Sequence, residues 1–192
     1  MIWPFRKKQE WDFPLFPQDL TNRDRLTSKY GVFGYKRSYY FHQGIDLYTV
    51  PNASVMAAED GEVVAITDFT GPPAHPHWLY TQAVLVSGPS GVICYGEVEP
   101  KYWLSVGDNL KKGDKFANVV PVIPEGQERP DIPGHSRWML HFEWYKQGVT
   151  ESVSWHHKDP YPEGLLDPTE PLTAAWDKML RIRQLPNSQH SS

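Results

Sequence analysis

The sequence is poor in cysteine: among its 192 residues only Cys94 carries a thiol. One cysteine excludes an internal disulfide framework and a Cys-rich zinc finger, so any metal must rest on histidine and carboxylate. Charge of one sign is equally scarce. Nineteen Lys and Arg against 23 Asp and Glu leave a net charge of −4. That balance excludes nucleic-acid binding by bulk counterion release, and it argues against general adhesion to an anionic membrane. No apolar run approaches the roughly 18 residues of a membrane helix, so no membrane insertion is expected. Met1 to Lys8 sets its apolar residues ahead of its charges, the reverse of a secretory signal, and Pro4, Pro14 and Pro17 break the remaining run. Nothing in the pattern reads out an oligomeric state.

What is abundant points to turns and strands. Hydrophobic residues make up 40% of the chain, enough to build a core, and 18 Pro and 14 Gly accompany 8 Trp and 10 Tyr. Residues 1–25 read as an aromatic, Pro-rich arm whose Trp3, Phe5, Trp11, Phe13, Leu15 and Phe16 pin it to the domain. Residues 26–172 read as the domain proper, made of short strands between turn signals. Val55 to Ala58, Asp60-Gly61 and Glu62 to Ile66 suggest one hairpin; Ala83 to Val86 and Val92 to Tyr95 suggest a second. Gly107-Asp108 and Lys112-Gly113-Asp114 mark further turns. Met139 to Tyr145 alternates as a last strand. Residues 173–192 form a C-terminal helix and tail. The helix runs from Pro171 to Gln184, with Pro171 in the first turn and Trp176, Met179 and Leu180 on one face. Loops 67–80, 121–137 and 148–165 would rim a groove, with Trp78, Tyr80, Trp138 and Trp155 as wall candidates and Trp144 as a core residue.

Three short segments carry the chemistry. In His42-Gln43-Gly44-Ile45-Asp46 the pairing of His with a carboxylate four residues on is expected about once by chance, so it needs context. If the segment is extended, residues 42, 44 and 46 share a face, and Gly44 leaves room for another group to approach. His42 and Asp46 can then meet at one ion. In Met139-Leu140-His141-Phe142-Glu143-Trp144, the alternation puts Met139, His141 and Glu143 on a polar face and Leu140, Phe142 and Trp144 in the core. In Tyr95-Gly96-Glu97, Tyr95 and Glu97 share a face, and a carboxylate near a metal can serve as general base. The His75/His77 and His156/His157 pairs lack a third ligand at suitable spacing.

The order of these segments resembles the lysostaphin-type (LytM-like) zinc metallopeptidases, which cut peptide cross-links of bacterial peptidoglycan. The likeness runs from about Leu26 to Leu172. It rests on Ser28-Lys29-Tyr30-Gly31, on His42-x-Gly44-x-Asp46, and on Val55 to Val63 with its Asp60-Gly61. It continues through the turn pair Leu104 to Gly113, the strand around His141 to Glu143, and Asp167-Pro168 to Pro171-Leu172. The resemblance implies a mostly β fold, a small antiparallel two-sheet sandwich related to the biotinyl/lipoyl hammerhead, with a short C-terminal helix. A carrier role is excluded because no Lys with the required neighbours stands at the hairpin tip. The resemblance also implies one zinc ion held by His42, Asp46 and His141, leaving one position open. Glu97 and Met139 stand where the family has its two catalytic histidines. Glu97 can move a proton, whereas Met139 cannot donate a hydrogen bond. His135 and Arg137, just before Met139, are substitute donors by position. Two readings stay open: a peptidase acting on a peptide or peptidoglycan cross-link with an altered shell, or a module that binds wall peptide or a protein partner without cutting. The family substrate lies outside the cytoplasmic membrane, so a phage lysin, a virion component or an unusual export route would fit either one.

Overall fold

The computed structural model describes residues 1–5, 31–127 and 137–184. Ser28 to Tyr30, His135 and the Trp11 to Phe16 part of the arm lie outside the described residues. Among the described residues nine strands join in one antiparallel sheet: β1 (Ile45–Tyr48), β2 (Ser54–Met56), β3 (Gly61–Asp68), β4 (Gln82–Gly88), β5 (Gly91–Pro100), β6 (Asn109–Leu110), β7 (Lys115–Val119), β8 (Met139–Tyr145) and β9 (Leu165–Leu166). One helix among the described residues, α1 (Thr169–Gln184), follows them. The main path runs β1-β8-β5-β4-β3-β6, while β2 pairs with β7 and β7 with β5. The mostly antiparallel β fold matches the expectation, but hydrogen bonds connect its two layers. Long β5 supplies the joint: its first half pairs with β8 and its last three residues with β7.

Strand alternation sorts the side chains onto two faces. From β1 and β8, Ile45, Leu47, Leu140 and Phe142 point into the main core, all fully buried. Residues of β2, β7 and α1 cover that face, with the Phe116 and Phe142 rings set edge-on to Tyr95. Each such buried side chain contributes about 1.5–3 kcal/mol. The opposite face carries a smaller core of Val92, Cys94, Tyr145 and Leu165 at one end. At its other end sit Asp46 and His141.

The β4–β5 hairpin forms as the sequence suggests, Gly88 opposite Gly91, with Gly91 in a positive-φ conformation that favours glycine. The other proposed hairpin does not. β2 pairs with β7, and β3 pairs with β4 and β6, because the chain leaves β2 at Met56 and crosses between layers through Ala57 to Asp60. There the Asp60 carboxylate accepts a hydrogen bond from the Lys112 amide, tying this crossing to the next turn instead of closing a two-strand loop. The helix starts two residues before Pro171. The Asp167 carboxylate accepts from the Thr169 amide and Pro168 occupies the first turn, a capped start. Trp176 and Met179 pack on the core. Of the arm, Trp3 and Phe5 are buried; Phe5 bridges to Val55 and Trp3 meets Trp176 at 4.8 Å.

Candidate metal centre

β1 and β8 bring two of the three expected ligands together by register alone. Asp46 lies directly opposite His141 across the antiparallel pair. His42 joins them from just before β1. The three side chains are buried and their ligand atoms lie within 4.8 Å of one another. His42 Nε2 is 2.9 Å from Asp46 Oδ1, His141 Nδ1 is 2.8 Å from the same oxygen, and the two nitrogens are 3.2 Å apart. Gly44 permits this approach. A Cβ there would fall 2.5 Å from the Phe142 carbonyl oxygen and 2.8 Å from His141 Nε2.

The outer hydrogen bonds decide which atoms face the centre. His42 Nδ1 donates to the Val32 carbonyl at 2.9 Å, which leaves Nε2 with its lone pair inward. His141 Nε2 donates to Glu143 at 3.1 Å, which leaves Nδ1 inward. Glu143 in turn accepts from the Tyr145 and Ser152 hydroxyls. Asp46 Oδ2 accepts from Arg37 at 2.7 Å, leaving Oδ1 to the imidazoles. With His141 neutral in this tautomer, two nitrogen lone pairs and a carboxylate oxygen face one another with no donor among them. That is the donor set of a metal held by two imidazoles and one carboxylate, with hydrogen-bonded support behind each ligand.

Charges follow from the same contacts. Burial holds the His42 imidazole down to about 4 against the pull of Asp46, so it is neutral near pH 7. Burial also opposes charge on His141, but its hydrogen bonds to Asp46 and Glu143 win and push it up to about 10. In the metal-free protein a proton on His141 takes the place of a cation. Burial would raise Asp46; the neighbouring His42, Arg37 and His141 outweigh it and hold the carboxyl well below its usual range.

Glu97 reaches this cavity by a backbone irregularity. On β5, Tyr95 pairs with Phe142 and Gly96 with His141. Regular alternation would send Glu97 into the core with Tyr95, as the expectation of a shared face implies. Instead β5 changes partner at Glu97, from β8 to β7, and the β4–β5 register slips there, Ala83 facing Gly96 and Gln82 facing Val98. Glu97 is the extra residue of a β-bulge, with φ of +64°. The bulge reverses its side chain into the cavity, while Tyr95 stays in the core and accepts a hydrogen bond from the Ala58 amide. Glu97 is buried, and its Oε2 has no hydrogen-bond partner. Burial and the nearby Asp46 charge push this carboxyl up to about 8, against His141 and Arg37. Gly96 makes room for Phe69, whose ring lies 5.4 Å from that of His141.

The cavity measures about 400 Å³ and is lined by all three ligands, Glu97 and Met139. The three proposed rim loops contribute Trp78, Ile123 and Ser154 among others. Of the proposed aromatic walls only Trp78 lines it. Tyr80 is 71% exposed, Trp155 stacks on Phe41, and Trp138 lies under Arg137. Arg137 itself turns toward Glu125, 3.6 Å away, and does not line the cavity. Sequence reading passed over Arg37 and Tyr48. Arg37 sits in a short turn closed by the Lys36–Phe41 bridge, for which the sequence carries no plain signal. Tyr48 was findable, because in β1 it shares the face of Asp46 and lies opposite Met139. Among the described residues no other group of three His, Cys, Asp or Glu gathers ligand atoms, and no helix is long and apolar enough to cross a membrane.

No family model matches the chain, and no curated protein matches it either. Similar solved structures include two crystal forms of Helicobacter pylori Csd3. The orthorhombic form has a TM-score of 0.44 at 15% identity, covering 98% of this chain and 44% of that one. The hexagonal form has a TM-score of 0.43 at 16% identity, covering 84% and 39%. Cbpa from L. salivarius REN has a TM-score of 0.49 at 16% identity, covering 77% and 87%. The chain thus spans less than half the length of the Csd3 chains. Likeness at this level assigns neither family nor function.

Proposed function

We propose that this chain is a zinc-binding, lysostaphin-type peptidase that hydrolyses a peptide bond of bacterial peptidoglycan, with Glu97 as general base. One observation carries the reading: a buried carboxyl with an unpartnered oxygen lines the same cavity as a converged His-Asp-His donor set. His42, Asp46 and His141 would hold the ion. When bound, zinc supplies Lewis acidity toward a carbonyl and lowers the pKa of water.

The remaining work falls to side chains. Glu97 Oε2 takes and returns the proton. Its metal-free value of about 8 places it near the pH at which a group can do both, and a nearby cation lowers that value. Strain at a positive-φ residue is tolerated where a function requires its direction. Met139 offers no donor; Tyr48, its partner across β1–β8, lines the same cavity with an O–H. Phe69 and Trp78 give the cavity an apolar lining. The replacement of both family histidines favours a second reading, a module that grips wall peptide without cutting.

Zinc content of freshly purified protein, measured by mass spectrometry beside muropeptide digestion on the same batch, separates them. The peptidase reading expects one zinc per chain and cleavage. It also expects Glu97→Gln to keep the zinc and lose turnover by about 10²–10⁴. Zinc without cleavage supports the module, and no zinc after reconstitution overturns both.

A further inference from the structure

A second cavity adjoins the first, and Arg37 belongs to the wall of both. It measures about 660 Å³ and is lined by Tyr35, Lys36, Arg37, Ser38 and His157. In a chain of net charge −4, this wall contains Lys36, the Asp46-paired Arg37, the hydroxyls of Tyr35 and Ser38 and an imidazole, and no carboxylate of its own. Its Arg37 is fixed in direction, because the guanidinium donates to Asp46 at 2.7 Å. His157 Nε2 is buried with no hydrogen-bond partner, so one ring nitrogen is left for a ligand to satisfy. The backbone is equally fixed. The Arg37 amide donates to the Tyr40 carbonyl, Lys36 bridges to Phe41, and Tyr40 bridges to His156. The cations thus stand on a closed turn tied to the 156–157 segment.

We propose that this cavity is a carboxylate subsite, which takes an ionised carboxyl of the peptide whose backbone occupies the metal-centre cavity. The inference rests on the peptidase reading for its ligand and adds a substrate class to it: a stem peptide with a free carboxylate on one side of the reacting bond. Charge complementarity selects that occupant. A carboxylate accepts from Lys36 and Ser38, whereas an amide in the same place gains no charge-assisted hydrogen bond from Lys36; Arg37 is already paired with Asp46. The single-sided placement, next to the metal centre and joined to it through Arg37, also orients the peptide along the groove.

The test is calorimetric binding of one muropeptide, prepared with its stem carboxylates free and with them amidated, to chelator-treated protein, so that no turnover intervenes. The free acid is expected to bind at least about tenfold tighter than the amide, with the difference abolished in Lys36→Glu and reduced in His157→Phe. Lys36 is exposed, so its variants retain the fold. Equal affinity for acid and amide, no binding of either, or full discrimination retained in Lys36→Glu overturns the subsite. Cleavage by the zinc-loaded protein is scored separately. Turnover that ignores amidation overturns the subsite alone, and acid-selective binding without turnover overturns the hydrolase alone.

Discussion

On the β1–β8 wall of the cavity, each proposed ligand side chain has a hydrogen-bond partner behind it: Val32 for His42, Arg37 for Asp46, Glu143 for His141. On the β5 wall, Glu97 keeps an oxygen with none. Both walls are buried, and both present a carboxylate, yet Asp46 is held far below the usual range while Glu97 rises to about 8. The difference lies in what surrounds each acid. Asp46 has an arginine and two imidazoles in direct contact; Glu97 feels its cations only at a distance and loses water without replacement. On the proposed reading one wall holds an ion and the other exchanges a proton.

The largest effect should come from breaking the holding wall. His141→Ala or His42→Ala should lower zinc from one ion per chain to none, read by mass spectrometry, with the β spectrum in circular dichroism retained. Neither the main core on the opposite face nor the smaller core at the other end of the same face includes these imidazoles. Full zinc retention in both variants would sink the ligand assignment. Next comes the proton on His141. It must leave before the ring can ligate, so zinc affinity should rise by about tenfold per pH unit from neutrality toward about pH 10. A flat profile between pH 7 and pH 9 would mean that His141 is already neutral there.

The exchanging wall is tested through stability. In the unfolded chain Glu97 ionises near 4.5, and in the folded, metal-free protein near 8. Between these values the folded state holds a proton that the unfolded state has lost, so stability falls as pH rises through the window. Glu97→Gln escapes this loss. Its advantage over wild type should be absent below pH 4.5 and grow to the order of 5 kcal/mol above pH 8, in urea melts of metal-free protein. A constant difference across pH would overturn the buried-acid account. The smallest effect is steric. Gly44→Ala places a methyl against the Phe142 carbonyl and His141, and should cost about 1–3 kcal/mol while weakening zinc binding. An unchanged melt and zinc content would show that the crossing has slack.

The convergence of His42, Asp46 and His141 was legible because it depends on periods. His42-x-Gly44-x-Asp46 and the alternation of β8 put the right atoms on one face whatever the loops do. The way Glu97 enters the cavity was not legible. Its direction depends on a bulge created by the change of partner along β5, and two-residue alternation gives the wrong face for it. The β2–β3 hairpin failed for a related reason: Asp60-Gly61 is a sound turn signal, but Asp60 uses its carboxylate on Lys112, and tertiary pairing with β7 overrides the local pattern. The Arg37 turn had no period at all.

The register of β1 carries a consequence in time. β1 lies at the end of the strand order and pairs only with β8, so His42 and His141, whose rings touch, stand 99 residues apart in the chain. Loop closure over that span is the slow, entropically costly kind, whereas the β4–β5 hairpin closes over two residues. Early in folding the hairpin can exist while Asp46 has nothing to face. On that ground the candidate metal centre is expected to form late, and an ion captured there would mark that the last long-range pairing has been made.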